Sequence, residues 1–120
     1  MIIFGNYFQE DLAMKAKEFI QYLGIPGRYY GQRYLIRCVE LVLEDENRLL
    51  KVTKLLYPAV ADEFGATSAQ VQKDIRTVIS VFWDGPGRKR LEELIGYELA
   101  WKPAPNEMID LLATYIQRSN

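Results

Sequence analysis

Apolar residues recur at steps of three and four along most of the chain, and no stretch alternates as a half-buried strand does. In "EDLAMKAKEFIQYLG", Leu12, Ala16, Phe19 and Leu23 share one helical face, and Gly24, with Pro26 just beyond it, gives a stop. In "GQRYLIRCVELVLED", Leu35, Val39 and Leu43 fall at four-residue spacing behind turn-forming glycines. "ENRLLKVTKLL" reads as a short helical connector. "YPAVADEF" reads as a compact helix, with Pro58 suited to a first helical position, where no N–H partner is needed. "TSAQVQKDIRTVISVFW" opens with Thr67 and Gln70 at the spacing of a capping box. "DGPG" then breaks the chain, "RKRLEELIGYEL" is another short helix, "WKPAP" a linker, and "NEMIDLLATYIQ" the last helix, capped by Asn106. The pattern predicts one all-α domain over residues 1–120, of about six helices, without repeats or low-complexity tracts.

Residues 58–83 hold the most informative pair of helices. A small residue, Ala61, lies inside the first helix, and Gly65 follows four positions later, where a tight turn asks for positive φ. Val71, ten positions after Ala61, begins the apolar stripe of the second helix. Alanine, glycine and an aliphatic at these offsets are the spacing of a DNA-binding helix-turn-helix. With Val71 at the centre of the buried face, Ile75, Val78 and Phe82 fall within about 40° of it. Ala69, Lys73, Arg76, Thr77 and Ser80 take the opposite side, with Gln72 at its edge and Asp74 near the other flank. That outward face is small, polar and cationic. Side chains of Gln, Lys and Arg type are those that reach base edges in a major groove, so Gln72, Lys73 and Arg76 are the candidate base contacts.

Charge supports this reading by its distribution rather than by its sum. The net charge is −1, whereas nucleic-acid binders usually carry a basic footprint. Residues 51–90, however, hold seven basic and four acidic side chains; residues 1–50 hold six and seven, and residues 91–120 two and five. The positive segment contains the helix pair. Thr67, Ser68 and Thr77 are candidate phosphate contacts from the second helix. Arg88, Lys89 and Arg90 follow "DGPG" at its far end, on what reads as a loop where flexible cations meet phosphates. Such a run is also common as a solvated surface. Tyr29, Tyr30 and Tyr34 have the look of a stacking platform, although near a helix start they more often close a core.

Other chemistries find little support. With no histidine and one cysteine, zinc sites and Ser-His or Cys-His catalysis are excluded. No glycine-rich phosphate loop is present, so no metal, cofactor or small-molecule substrate is expected and the chain does not read as an enzyme. Cys38, in "YLIRCVELVL", reads as a small buried hydrophobe. No apolar run reaches membrane-spanning length, and "MIIFGNYFQED" lacks the basic start and cleavage site of a signal peptide, so a cytoplasmic setting is expected.

"YLGIPG", "GQRYLIRCVELVL", "VTKLLYPAVADEFGATSAQVQKDIRTVISVFW", "LIGYEL" and "KPAPNEMIDLLA" occur in the order and near the spacing of a known family. From about Lys15 to Ile116 the chain resembles the C-terminal DNA-binding effector domain of the stage-zero sporulation response regulators of endospore-forming bacteria. The resemblance implies a six-helix domain with an embedded helix-turn-helix that binds a short promoter box in double-stranded DNA, in tandem or as a homodimer. The family's recognition helix reads roughly Arg-Val-Glu-Arg-Ala-Ile-Arg-His, with the Glu, the Arg after it and the last Arg approaching bases. Gln72 stands at that Glu, Lys73 at the next Arg, Arg76 at the last Arg, and Thr77 replaces the His. Gln both donates and accepts where Glu only accepts, and Lys lacks the planar fork of Arg, so a changed base preference is implied. The family's phosphorylated receiver domain is absent, as in a cut-out domain or a free-standing relative, and the unmatched "MIIFGNYFQEDL" favours the second. The expected function is sequence-specific DNA binding in transcription regulation. The alternative is a protein-interaction module of the same fold that has lost DNA binding and modulates a true regulator.

Overall fold

The computed structural model describes residues 15–119. Among them there is no strand, and the architecture is all-α. The elements are α1 (15–22), α2 (Tyr30–Glu44), a helical connector in two turns (Glu46–Lys51 and Val52–Leu56), α3 (Tyr57–Phe64), α4 (Ser68–Asp84), α5 (Gly87–Ile95) and α6 (Pro105–Arg118). The predicted order of elements is found among the described residues, although α5 ends at Ile95, where Gly96 turns left-handed, and does not run on through "GYEL". Leu12 and "MIIFGNYFQEDL" lie outside the described residues.

One cluster of buried side chains draws on all six helices: Ala16 and Ile20 of α1, Leu35, Cys38 and Val39 of α2, Val60 of α3, Ile75 and Phe82 of α4, Leu91 of α5, and Met108 and Leu112 of α6. Each fully buried Leu, Ile or Phe contributes about 1.5–3 kcal/mol relative to exposure, which is why the three- and four-residue stripes decide the fold. Helix α2 is the central post and packs on α4 and α6. Gly31 makes this possible, because a Cβ there would collide with the main-chain carbonyl of Asp74. The one buried polar side chain among the described residues, Gln32, donates from Nε2 to the Ile25 carbonyl at 2.7 Å and holds the turn between α1 and α2. Cys38 is buried as expected, and desolvation pushes its thiol up to about 12.

Local chemistry sets the ends of the elements. Asp45 accepts from the Asn47 N–H to open the connector. Thr67 and Gln70 form the predicted capping box at the start of α4: the Thr67 hydroxyl accepts from the Gln70 N–H at 3.1 Å, and the Gln70 side-chain Oε1 accepts from the Thr67 N–H at 3.5 Å. Two expected starts shift. Pro58 is the second residue of α3 rather than the first, because Tyr57 continues directly from the connector's wide last turn. Asn106 is not the cap of α6. The cap lies two residues earlier, at Ala104, with Pro105 the first helical residue, and Glu107 reaches back to accept from the Ala104 N–H at 2.9 Å.

Candidate nucleic-acid interface

Helices α3 and α4 form the helix-turn-helix corner that the Ala61, Gly65 and Val71 spacing predicts. Gly65 has φ 65° and ψ 33°, the left-handed conformation that glycine adopts without strain. Its N–H and that of Ala66 both bond the Ala61 carbonyl, which turns the chain within three residues. Ala61 and Val71 are buried at the corner. Two contacts fix α3 against α2. Arg37 donates to both carboxylate oxygens of Glu63, with Nε to Oε2 at 2.8 Å and Nη2 to Oε1 at 3.0 Å, and the Tyr34 ring meets Phe64 edge-on at 5.2 Å. A bidentate guanidinium–carboxylate pair fixes orientation as well as distance. Val60 and Ala61 of α3 and Val71 of α4 seat the corner on the core.

Along α4, Val71, Ile75, Val78, Ile79 and Phe82 point inward. Ala69, Lys73, Arg76 and Thr77 are exposed, and Ser80 is half-exposed, so the outward face is the one the helical projection draws. Among the described residues the Lys73 and Arg76 side chains make no hydrogen bond or ion pair. Gln72 is half-exposed at the edge of the face, and Asp74 lies on the other flank beside α2. The three candidate base-contacting residues thus share one side of a helix about 25 Å long. Thr67 and Ser68 sit at its N-terminus, where main-chain N–H groups and the helix dipole favour anions. The exposed Thr77 hydroxyl donates to the Lys73 carbonyl at 3.2 Å.

Of the two readings of the basic run after α4, as the start of a short helix and as a loop, the structure has the helix. Arg88, Lys89 and Arg90 form the first turn of α5, not a loop, because Gly85 and Pro86 already complete the turn and Gly87 packs against the Leu23 carbonyl, where a Cβ would clash. Arg88 lies over the Trp83 ring, 3.7 Å from its centroid, and donates to Glu92 at 3.2 Å and to the Leu99 carbonyl at 3.1 Å. Arg90 donates to the Tyr22 carbonyl at 2.8 Å. Only Lys89 of the three makes no such contact among the described residues. The tyrosines divide as well. Tyr34 is buried in the core, while Tyr30 is 62% exposed and stacks on it at 6.2 Å.

A groove of about 960 Å³ runs along one flank of α4. Its α4 wall is the row Gln72, Arg76 and Ser80, and its opposite walls are the connector at 49–54 and the segment 102–107. Lys51, Lys54 and Lys102 stand around it, and Lys102 Nζ donates to Ser80 Oγ at 3.1 Å. These three lysines were not singled out in the sequence. Two of them contribute to the positive balance of residues 51–90, whereas Lys102 lies in an acidic segment and gives no sequence signal at all.

The profile of the family described as "Sporulation initiation factor Spo0A C terminal" matches residues 16–116. The chain belongs to the Spo0A C-terminal domain family. This is a family of DNA-binding effector domains rather than of enzymes, and the matched range reaches from α1 into α6. No helix among the described residues is long and apolar enough to cross a membrane.

Proposed function

We propose that this chain, as a single domain, binds double-stranded DNA in the bacterial cytoplasm and regulates transcription, with α4 entering the major groove. The observation that carries the reading is the outward face of α4. It offers Gln72, Lys73 and Arg76, it is held by a corner seated on the core, and neither of its two cations is neutralised by a carboxylate. Arg76 suits bidentate contact with guanine, Gln72 pairs with adenine, and Lys73 acts as a point donor. Thr67 and Ser68 meet phosphate at the helix start, where the main-chain amides add to the attraction, and the exposed Thr77 lies against the backbone further along. A second copy on a tandem box, as a homodimer or side by side, is part of the same proposal.

The test is binding of a box selected from a random DNA pool, set against a scrambled duplex. Arg76→Ala should lower affinity for the selected box by about 1–3 kcal/mol more than for the scrambled one, the discrimination of a good bidentate contact. Equal losses on both duplexes would show that Arg76 meets only phosphate. A wild-type protein that shifts neither duplex at low salt would remove the DNA reading and leave the interaction module in its place.

A further inference from the structure

We infer that Lys51, Lys54 and Lys102 form a phosphate-binding wall along the groove beside α4, which grips the DNA strand on that side of the recognition helix. The inference rests on the proposed entry of α4 into the major groove. That groove is about 12 Å wide, and a helix with its side chains fills about 10–12 Å of it, so whatever flanks α4 in the protein meets the sugar-phosphate strands that wall the groove. On the Gln72–Arg76–Ser80 side the flanking elements are the connector and the segment 102–107.

The charge of that flank is one-sided. Four cations, Lys51, Lys54, Arg76 and Lys102, line the groove against one carboxylate, Glu107, which accepts from the Ala104 N–H at the start of α6. None of the three lysines has an ion pair among the described residues. Like charges gathered in excess of their counter-charges repel one another, and a polyanion relieves that repulsion while releasing its own condensed counterions. Lys102 is also aimed. Its hydrogen bond to Ser80 draws the ammonium group onto the α4 row, next to the position of the incoming strand. The lysines come from separate segments and make no bond to one another, so they follow a strand of phosphates rather than enclose one small anion. Their contacts carry no base information, because a phosphate is the same under every base.

The experiment measures binding of the full chain to a labelled random-sequence duplex over a salt series, for the wild type and for Lys51→Gln/Lys54→Gln/Lys102→Gln. Each lost phosphate contact removes roughly 0.9 from the slope of log affinity against log salt, so the triple variant should be shallower by up to about 2.7. The sequence selected from a random pool should stay the same. Thermal melting keeps the comparison sound, and the single variant Lys54→Glu, on an exposed connector position, gives a second reading if the triple variant melts early. An unchanged slope in a folded variant, beside a wild type that binds the duplex, overturns the wall and leaves the DNA reading standing. A changed sequence preference also overturns it, because the lysines would then be reading bases. A wild type that binds no duplex at low salt removes both.

Discussion

At the start of α5, Arg88, Lys89 and Arg90 are neighbours in sequence, while Lys51 and Lys54 precede α4 in the chain and Lys102 follows it. The first set looks like a charge cluster on paper and is dispersed in space. Successive residues on a helix point about 100° apart, so Arg88 turns onto Trp83 and Leu99, Arg90 turns onto Tyr22, and Lys89 is left between them. The second set looks scattered on paper and is gathered by the packing of the connector and the 102–107 segment beside α4. Adjacency along a helix separates charges; packing of distant segments collects them. A basic run is therefore weak evidence for a polyanion site until the directions of its side chains are known.

The contrast is broken most forcefully at Arg88. If its guanidinium holds the α4–α5 corner together, Arg88→Ala should lower stability by about 1–2 kcal/mol, from the stacking on Trp83 and the hydrogen bond to Leu99. That loss is read as a drop of several degrees in melting temperature. The salt slope of DNA binding, measured well below the melt, should not move. A shallower slope with normal stability would return Arg88 to the phosphate contacts and dissolve the contrast.

Most of the fold was legible in the sequence because its determinants are local or periodic. Stripes at three- and four-residue spacing mark α1 to α6, and the Thr67–Gln70 box and Gly65 turn are short-range chemistry. The outward face of α4 was equally legible, since one helix's projection needs no knowledge of its neighbours. What the sequence hid depends on distant pairs. Nothing in "WKPAP" says that Lys102 will bond Ser80, and nothing in "GRKR" says that Trp83 will lie under Arg88. The missed Asn106 cap has a local cause: a proline at the first helical position and a Glu two residues on compete well with an Asn.

A smaller effect sharpens the structural role of the first region through pH. Glu92 accepts from the Leu99 N–H at 2.8 Å and from Arg88, and the main-chain bond, helped by the guanidinium, holds its carboxyl below the ordinary carboxylate range. A group whose pKa is lower in the folded state binds its proton more readily once unfolded. Its stabilisation is therefore complete above the ordinary carboxylate pKa and is lost as the pH falls through the lowered one. Wild type and Glu92→Gln should thus differ in melting temperature at neutral pH and converge in acid. Curves that stay parallel would mean that Glu92 contributes by shape alone.

The smallest expected effect belongs to Lys89, the one member of the run whose side chain makes no hydrogen bond or ion pair among the described residues. It is exposed in the first turn of α5, immediately beyond the C-terminal end of α4, where it can reach a phosphate only at the limit of the interface. At most one contact is at stake, so Lys89→Gln should make the salt slope shallower by no more than about 0.9, against up to about 2.7 for the three groove lysines. Stability should be unchanged, because no partner is lost. The two variants measured side by side on the same random duplex rank the regions directly. If Lys89→Gln matches or exceeds the triple groove variant, the strand runs along α5 and the proposed orientation of α4 in the groove is reversed. If neither residue set moves the slope, the affinity resides in α4 alone, in Lys73, Arg76 and the amides at its start.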